Sequence, residues 1–217
     1  MKKLIYKEFA LATSPLTFLF LGFTVMTFIP GYPVLCGAFF VCFGIFHSYQ
    51  TAREDDDITY TILLPVRKAD VVSAKYAAAV IIQGVAFVLF AIFSGIRMVF
   101  FADAAVYKAN VLMGANFVFL SFVLLIFAAF NVIFIGGFFK TAYRYGKPFV
   151  IFIIVNFSII AAAETMHHLP GMAWLNILDI KNAVCQMPLL ACAAVIYVIS
   201  AVVSCKKSET RFENTDL

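Results

Sequence analysis

The sequence has few charged residues for its length. Only 13% of its 217 residues are Asp, Glu, Lys or Arg, whereas 64% are hydrophobic and the mean hydropathy is +0.98. A soluble domain carries about twice that share of charge. The composition therefore excludes an ordinary soluble domain and predicts an integral membrane protein. The apolar runs are long and do not alternate, which favours transmembrane helices over a β-barrel.

The sequence also lacks the short motifs of several enzyme and metal-site classes. Its five cysteines lie mostly within apolar runs and show no C-x-x-C spacing, which argues against a zinc site or a disulfide framework and predicts small core side chains. There is no G-x-x-x-x-G-K-[ST] phosphate loop, so these residues cannot cradle ATP through that motif. No A-x-A-like cleavage site follows the first apolar run, which we expect to be a retained helix.

Six apolar runs approach the roughly 20 residues that a membrane-spanning helix needs. The predicted spans cover residues 13–28, 34–49, 74–101, 111–139, 148–163 and 183–204. We expect a surface helix at 1–12, a cytoplasmic loop at 53–73 and a mobile polar tail at 205–217, all within one domain. The fold class is an all-α membrane protein with six spans.

The positions of the basic residues predict the orientation. Six spans put both ends of the chain on one side, and 13 of the 16 Lys and Arg residues then lie on that side, with Arg97, Lys108 and Lys181 opposite. The positive-inside rule places the richer side in the cytoplasm. Because the basic residues flank apolar runs and form no single patch, the net charge of +4 does not indicate nucleic-acid binding.

The longest polar interruption runs from Arg53 to Tyr76. Its four consecutive acids, Glu54 to Asp57, favour the first turn of a helix, and Pro65 ends that helix near Leu63. The helix is therefore about ten residues long. Two readings remain open: a solvated acidic loop, or a short helix that docks on a cytoplasmic partner. In the second, Ile58 and Ile62 share an apolar face, and further apolar area comes from Tyr60, Leu63 and Leu64.

This stretch carries a resemblance to a known family. The surface helix, the short first hairpin, the loop with an acid-started helix, and the run LPVRKADVV with a following Lys75-Tyr76 resemble the permease subunit of type-2 ABC exporters. The closest likeness is to small bacterial permeases such as those of the phenol-soluble modulin peptide exporters. The resemblance implies a coupling helix that sits in a cleft of the ATP-binding subunit. It assigns that role to Glu54, Asp55, Asp56, Asp57, Ile58, Tyr60, Ile62, Leu63 and Leu64, with Pro65 and Arg67 in the following turn.

The resemblance also implies the partners and the setting. ATP and Mg²⁺ would be bound by a separate ATP-binding subunit, and this chain would hold no cofactor or metal of its own. The permease would work as a dimer with a second copy or a paralogue in a bacterial cell membrane. Two short outer helices, re-entrant or interfacial, are implied at 164–182. The few charges favour an amphipathic peptide or lipid-like cargo.

Three amides within the spans allow two interpretations, and one arginine allows a single one. Gln83 and Asn131 are equally far from residue 107, the centre of the predicted turn between two spans, so they lie at equal depth. These two amides and Asn156 either make contacts between helices or line a translocation path. Arg97 is near the outer end of its span, and we expect its side chain to reach water.

Two alternative functions remain at this point. Glu164, His167 and His168 could place metal ligands at the outer membrane edge, as in an intramembrane enzyme, but their spacing is not H-E-x-x-H and interfacial polar residues explain them more simply. A non-transporting scaffold could also use the acidic helix to recruit a cytoplasmic protein.

Overall fold

A computed structural model describes residues 1–102, 104–108, 110, 112–141, 144–166, 168–180 and 182–214. All regular secondary structure in these ranges is helical. The α-helices are α1 (Lys2–Lys7), α2 (Pro15–Leu21), α3 (Cys36–Glu54), α4 (Asp57–Ile62), α5 (Lys68–Phe100), α6 (Ala105–Lys108), α7 (Phe117–Ala129), α8 (Gly136–Lys140), α9 (Gly146–Met166) and α10 (Met187–Glu213). Several predictions involve Val111, His167, Lys181 and residues 215–217, which lie outside the described residues.

Short 3₁₀-helical and π-helical segments directly adjoin several of these α-helices. A π turn, Glu8–Ala12, continues α1, and a second π turn, Phe130–Ile135, joins α7 to α8. A 3₁₀ helix, Gly22–Phe28, continues α2, and another, Ala183–Gln186, leads into α10. Some of these α-helices are therefore parts of longer helical segments, such as Phe117–Lys140.

Four helical segments are long and apolar enough to cross a membrane alone: Lys68–Phe100, Phe117–Lys140, Gly146–Met166 and Ala183–Glu213. A fifth candidate is the pair Lys2–Ala12 and Pro15–Phe28, which meet at 90°. These segments establish a multi-pass helical membrane protein with four to five apolar, membrane-capable helices in the described part of the chain.

The first hairpin is closed by small residues and hydroxyl groups. Ser14 caps α2 by accepting a hydrogen bond from Leu16 N, with Pro15 at the first helical position. Thr17 then donates to the Gly44 carbonyl at 2.7 Å. A Cβ on Gly44 would lie 2.8 Å from the Phe20 Cβ, so glycine is needed where α2 crosses α3.

The segment from α7 to α8 is the central span. In its apolar window, 72% of the residues are buried, against 11% in the window of Ala183–Glu213. Its phenylalanines at 119, 127, 130, 134 and 138 are fully buried. The more exposed helices α5, α9 and α10 surround it, which leaves their outer faces to lipid.

Helix ends differ from the predicted span ends. Several helices continue beyond the apolar runs, whereas α7 begins at Phe117, six positions after the predicted start of its span at residue 111. α5 begins at Lys68, six positions before the predicted start of its span, and α10 continues through Glu213. Ser208 and Phe212 are buried, so the expectation of a mobile tail is wrong for residues 205–213. Of the five cysteines, Cys42 is buried, whereas Cys185 and Cys192 are exposed and are not core side chains.

The segment 164–182 contains less helix than the resemblance implies. One single-turn 3₁₀ helix, Ala173–Asn176, lies within it. The next 3₁₀ turn begins only at Ala183 and runs directly into α10. Residues 164–166 are the end of α9, and the rest of the described segment is irregular and is held by hydrogen bonds to side chains from other elements.

Candidate functional site

The loop between α3 and α5 reverses direction on an acidic turn. α3 ends at Glu54, Asp55 follows as its cap, and Asp56 adopts a left-handed conformation with φ of 49°. Aspartate visits this region more readily than most residues because its short polar side chain can bond locally. α4 therefore begins at Asp57 and spans six residues, shorter than the predicted ten, and only one of the four acids lies in its first turn.

α4 turns its two isoleucines inward. Ile58 is 4% exposed and belongs to the main hydrophobic core, and Ile62 packs against that core. The outward surface carries Tyr60, Leu63 and Leu64, which are 66%, 77% and 55% exposed. This corrects the expected docking face: Ile58 and Ile62 hold α4 to its own chain, and the other three side chains are free to meet a partner.

Four charged side chains join α1, α4 and α5, and we call them the charged cluster. Lys75 Nζ lies 2.8 Å from Glu8 Oε2 and 3.1 Å from Asp57 Oδ2. Lys7 Nζ pairs with the same two carboxylates and lies 3.1 Å from Glu8 Oε1. Because Lys75 is 3% exposed and Glu8 is 5% exposed, salt screens their interaction little. The cluster is balanced, with two positive and two negative groups.

Asp57 is the link between the loop and the rest of the cluster. Partial burial alone would raise the pKa of its carboxyl group, but the ammonium groups of Lys75 and Lys7 outweigh burial and hold that pKa below its usual value. The carboxylate is therefore ionised at neutral pH. Lys7 also donates to Thr61 Oγ1 at 2.9 Å, which adds a second contact between α1 and α4.

The turn after α4 leads directly into α5. Val66 N donates to the Leu64 carbonyl at 2.7 Å across Pro65, and Arg67 is the residue before the first turn of α5. The Arg67 guanidinium makes two hydrogen bonds to the Asp70 carboxylate, at 2.9 and 3.0 Å. The turn is thus short and braced on its exposed side.

An open groove of about 1010 Å³ lies between α1 and this loop. Its walls are mainly apolar, and Tyr60, Leu63 and Leu64 form one side. Leu4 and Leu11 line the other side. The lining carries both signs of charge, from Lys2, Lys3, Lys7, Arg67, Asp57 and Asp70. A concave apolar surface with charged groups beside it is typical of a protein interaction site.

The amides Gln83 and Asn131 meet in the interior. Two reciprocal hydrogen bonds of 3.0 Å join their side chains, and both residues are 0% exposed. Tyr197 of α10 donates to Gln83 Oε1 at 2.8 Å. This set connects α5, the central span and α10, and each such bond contributes about 0.6–2 kcal/mol in membrane proteins.

The π turn brings a backbone acceptor into the same region. The Asn131 carbonyl accepts a hydrogen bond from the Gly136 amide, five residues on, and a second from Ser204 Oγ at 3.0 Å. Tyr76 OH lies 2.8 Å from Ser204 Oγ and 3.0 Å from Ser208 Oγ. π turns are rare and are found frequently at functional sites.

Asn156 stands apart from these contacts. It is 0% exposed, and neither its Oδ1 nor its Nδ2 has a hydrogen-bond partner among the residues that the structure describes. An unpaired buried amide raises the free energy of this arrangement. The structure therefore brings two of the three predicted amides together and leaves the third alone.

At the opposite end of the bundle, two amides hold the loop that precedes α10. Asn116 caps α7 through its Oδ1, and its Nδ2 donates to the carbonyls of Leu175 at 2.6 Å and Ile177 at 3.1 Å. Gln186 Nε2 donates to the Trp174 carbonyl at 2.8 Å. Neutral hydrogen bonds thus fix an irregular segment over the end of the central span.

Arg97 and Glu164 also lie at this end, where each bonds to the backbone of another segment. Arg97 does not reach water: it is 2% exposed, donates to the Thr27 carbonyl at 2.7 Å and stacks 4.1 Å from the Tyr107 ring centroid. Glu164 accepts a hydrogen bond from Met113 N at 2.9 Å. Within the described ranges, no three His, Cys, Asp or Glu side chains are grouped to hold a metal ion.

The charged cluster and the Asn116 cap were not identified from the sequence. Glu8 offered a signal, since it is the one acid in a basic N-terminal segment. Asn116 offered another, because an asparagine directly before an apolar run is a helix-start pattern. In both cases the partners are distant in sequence, so the pattern alone does not show what each side chain contacts.

These features define a multi-pass helical membrane protein with an exposed apolar surface on a loop between helices. Residues 3–209 match the family described as ABC-2 family transporter protein. The chain belongs to this family, which confirms the expected ABC-2 permease family; its members are membrane components of transporters and are not themselves catalytic. The comparisons with curated proteins and with solved structures gave no match.

Proposed function

We propose that this chain is the permease subunit of an ATP-driven exporter, and that α4 with its following turn contacts a separate ATP-binding subunit. Membership of the ABC-2 family supports the permease role. The observation that carries the loop assignment is the exposed apolar surface of Tyr60, Leu63 and Leu64 beside the groove. A loop that only connects two helices has no need of three large exposed apolar side chains. ATP and Mg²⁺ are bound by the partner.

The charged cluster supports a route for motion from this surface to the membrane helices. Asp57, in the first turn of α4, pairs with Lys75 of α5 and Lys7 of the surface helix. α5 has 33 residues and is therefore roughly 50 Å long. A partner that displaces α4 would pull on the base of this long helix, and we infer that the rocking of the spans begins there.

The same proposal includes the arrangement in the membrane. The hairpin of α2 and α3 supplies two crossings, and α5, the segment from α7 to α8, α9 and α10 supply four more, which makes six. Both ends of the chain and the loop then face the cytoplasm. The permease works as a dimer with a second copy or a paralogue, and its cargo is an amphipathic peptide or a lipid-like compound.

Paired substitutions on the exposed surface test the partner contact. We expect Tyr60→Asp combined with Leu63→Asp to reduce co-purification of the co-expressed ATP-binding subunit at least tenfold, because buried apolar anchors of an interface each contribute more than about 1 kcal/mol. The variant should reach the membrane in normal amount with unchanged thermal stability, since both side chains project away from the core. Pull-down yield and ATP turnover are the measurements.

A matched control places two acids elsewhere on the same side of the molecule. Thr210 and Asn214 are exposed near the end of α10 and do not line the groove. Thr210→Asp combined with Asn214→Asp should retain the ATP-binding subunit. If the Tyr60 and Leu63 double variant also retains it and ATP turnover is unchanged, the loop is not the contact surface.

A further inference from the structure

A second groove, of about 580 Å³, lies on the membrane-facing side of the molecule between α10 and the segment made by the π turn and α8. Exposed apolar side chains form its walls: Val132 on one side, and Ile196, Ile199 and Val203 on the other. These residues are on helices that are apolar enough to cross a membrane. The groove is therefore open to the hydrocarbon region.

The wall on α10 is a continuous stripe. Ile196, Ile199, Val203, Lys207 and Arg211 follow one another at intervals of three or four residues, which places them along one helix face. From Ile196 to Lys207 the helix rises about 16 Å. This length is close to half of the roughly 30 Å hydrocarbon core, so it matches the depth of one leaflet.

One end of the groove is basic. Lys140 from α8 and Lys207 and Arg211 from α10 line it, and no acidic side chain is among the described residues that do so. This end lies beside the start of α5, because Tyr76 contacts Ser208. The basic end is thus on the same side as the loop that follows α3. An apolar groove one leaflet deep with cations at one end is complementary to an anionic phospholipid.

We propose that this groove binds an anionic phospholipid of the leaflet on the loop side, with an acyl chain against Ile196, Ile199 and Val203 and the headgroup phosphate at Lys140 and Lys207. A second copy of the chain fits less well. Copies related by a twofold axis along the membrane normal would bring the same three cations together at the same depth, and like charges in an interface are unfavourable. This site is separate from the proposed contact with the ATP-binding subunit.

Lipid retention by the purified full chain tests the proposal. The protein in neutral detergent is mixed with dioleoylphosphatidylglycerol or dioleoylphosphatidylcholine, and bound lipid is counted by native mass spectrometry. Each lysine near an anionic surface contributes about a fivefold change in affinity. We expect Lys140→Gln combined with Lys207→Gln to weaken phosphatidylglycerol binding by about 25-fold and to leave the weaker binding of phosphatidylcholine unchanged.

The control removes two positive charges outside the groove. Lys147 and Lys206 are exposed, and Lys206 is the neighbour of Lys207 on another face of α10. Lys147→Gln combined with Lys206→Gln should keep phosphatidylglycerol binding within about twofold of the wild type. Equal losses in the two double variants, or no loss in the Lys140 and Lys207 variant, would overturn the proposal.

A third variant fills the groove and separates a lipid from a second copy of the chain. Ile199→Trp should reduce the binding of both lipids and leave the oligomeric state unchanged, because the bulky ring takes the place of an acyl chain. If it alters the oligomeric state, measured by mass photometry, while both lipids bind as before, the groove is an interface between copies and the lipid assignment is wrong.

Discussion

The two ends of the helix bundle are held by different chemistry. Near the loop after α3, four charged side chains bridge three helices, and the most buried of them, Lys75, is 3% exposed. At the other end, the neutral amides of Asn116 and Gln186 hold an irregular segment through backbone carbonyls. The charged end depends on the protonation of its members, and the amide end does not. The stability of the charged end should therefore depend on pH, and that of the amide end should not.

The largest effect should come from breaking the charged cluster. Lys75→Ala removes the more buried of the two cations and leaves Glu8 and Asp57 with Lys7 alone. One carboxylate charge is then uncompensated, so we expect a loss of about 3–5 kcal/mol in the free energy of unfolding. Arg67→Ala is the matched control: its side chain is 81% exposed, so the loss of its ion pair with Asp70 should lower the stability far less than Lys75→Ala does. Chemical unfolding of both variants in detergent measures the difference. A loss below about 1 kcal/mol for Lys75→Ala would show that water solvates the cluster.

An intermediate effect is expected at the amide end. Asn116→Ala removes the cap of α7 and two hydrogen bonds to the loop, which together should cost about 2–3 kcal/mol. Asn182→Ala is the control at the same end, because its side chain makes one exposed hydrogen bond to Asp179, and its effect should stay within about 0.5 kcal/mol. The Asn116 loss should be the same at pH 7 and pH 4, since the amide does not titrate. A loss that depends on pH in this range would contradict the comparison.

The smallest effect is the response of the charged end to acid. The folded-state pKa of Asp57 is lowered, so its stabilisation is fully present above its unfolded value of about 3.9 and is lost as the pH falls through the lower folded value. Between pH 5 and pH 3, the melting temperature of the wild type should therefore fall more steeply than that of Asp57→Asn. Asp55→Asn, on the exposed turn beside it, should keep the steep wild-type slope. Parallel slopes for the wild type and Asp57→Asn would remove this carboxylate from the explanation.

The sequence predicted the class of fold well because composition and hydropathy are direct consequences of a lipid environment. It predicted helix ends less well. Lys, Arg and Glu are good helix formers, so charged residues leave the membrane without ending a helix. α10 accordingly continues for nine residues beyond Ser204, the predicted end of the last span. Hydropathy locates a crossing, whereas hydrogen bonding and packing decide where the helix ends.

The loop illustrates a second limit of the sequence. Periodicity correctly places Ile58 and Ile62 on one face of a short helix, but it does not show what covers that face. Here the protein's own core covers it, so the exposed surface is formed by Tyr60 and Leu63. A local pattern also does not show the partners of Asp57. Lys7 of α1 and Lys75 of α5 are distant in sequence and meet Asp57 only in the folded chain.

The π turn at Phe130–Ile135 changes the direction in which the side chains that follow it point. A π turn inserts one residue into an α-helix, and one residue corresponds to a rotation of about 100°. Everything from Gly136 to Lys140 is therefore turned by about that angle from the face that an uninterrupted helix would present. Deleting one residue from the turn would restore regular winding and swing Lys140 a quarter-circle around the helix axis. The π turn thus sets the direction in which the side chains of Gly136–Lys140 point around the helix axis, independently of the buried middle of the central span.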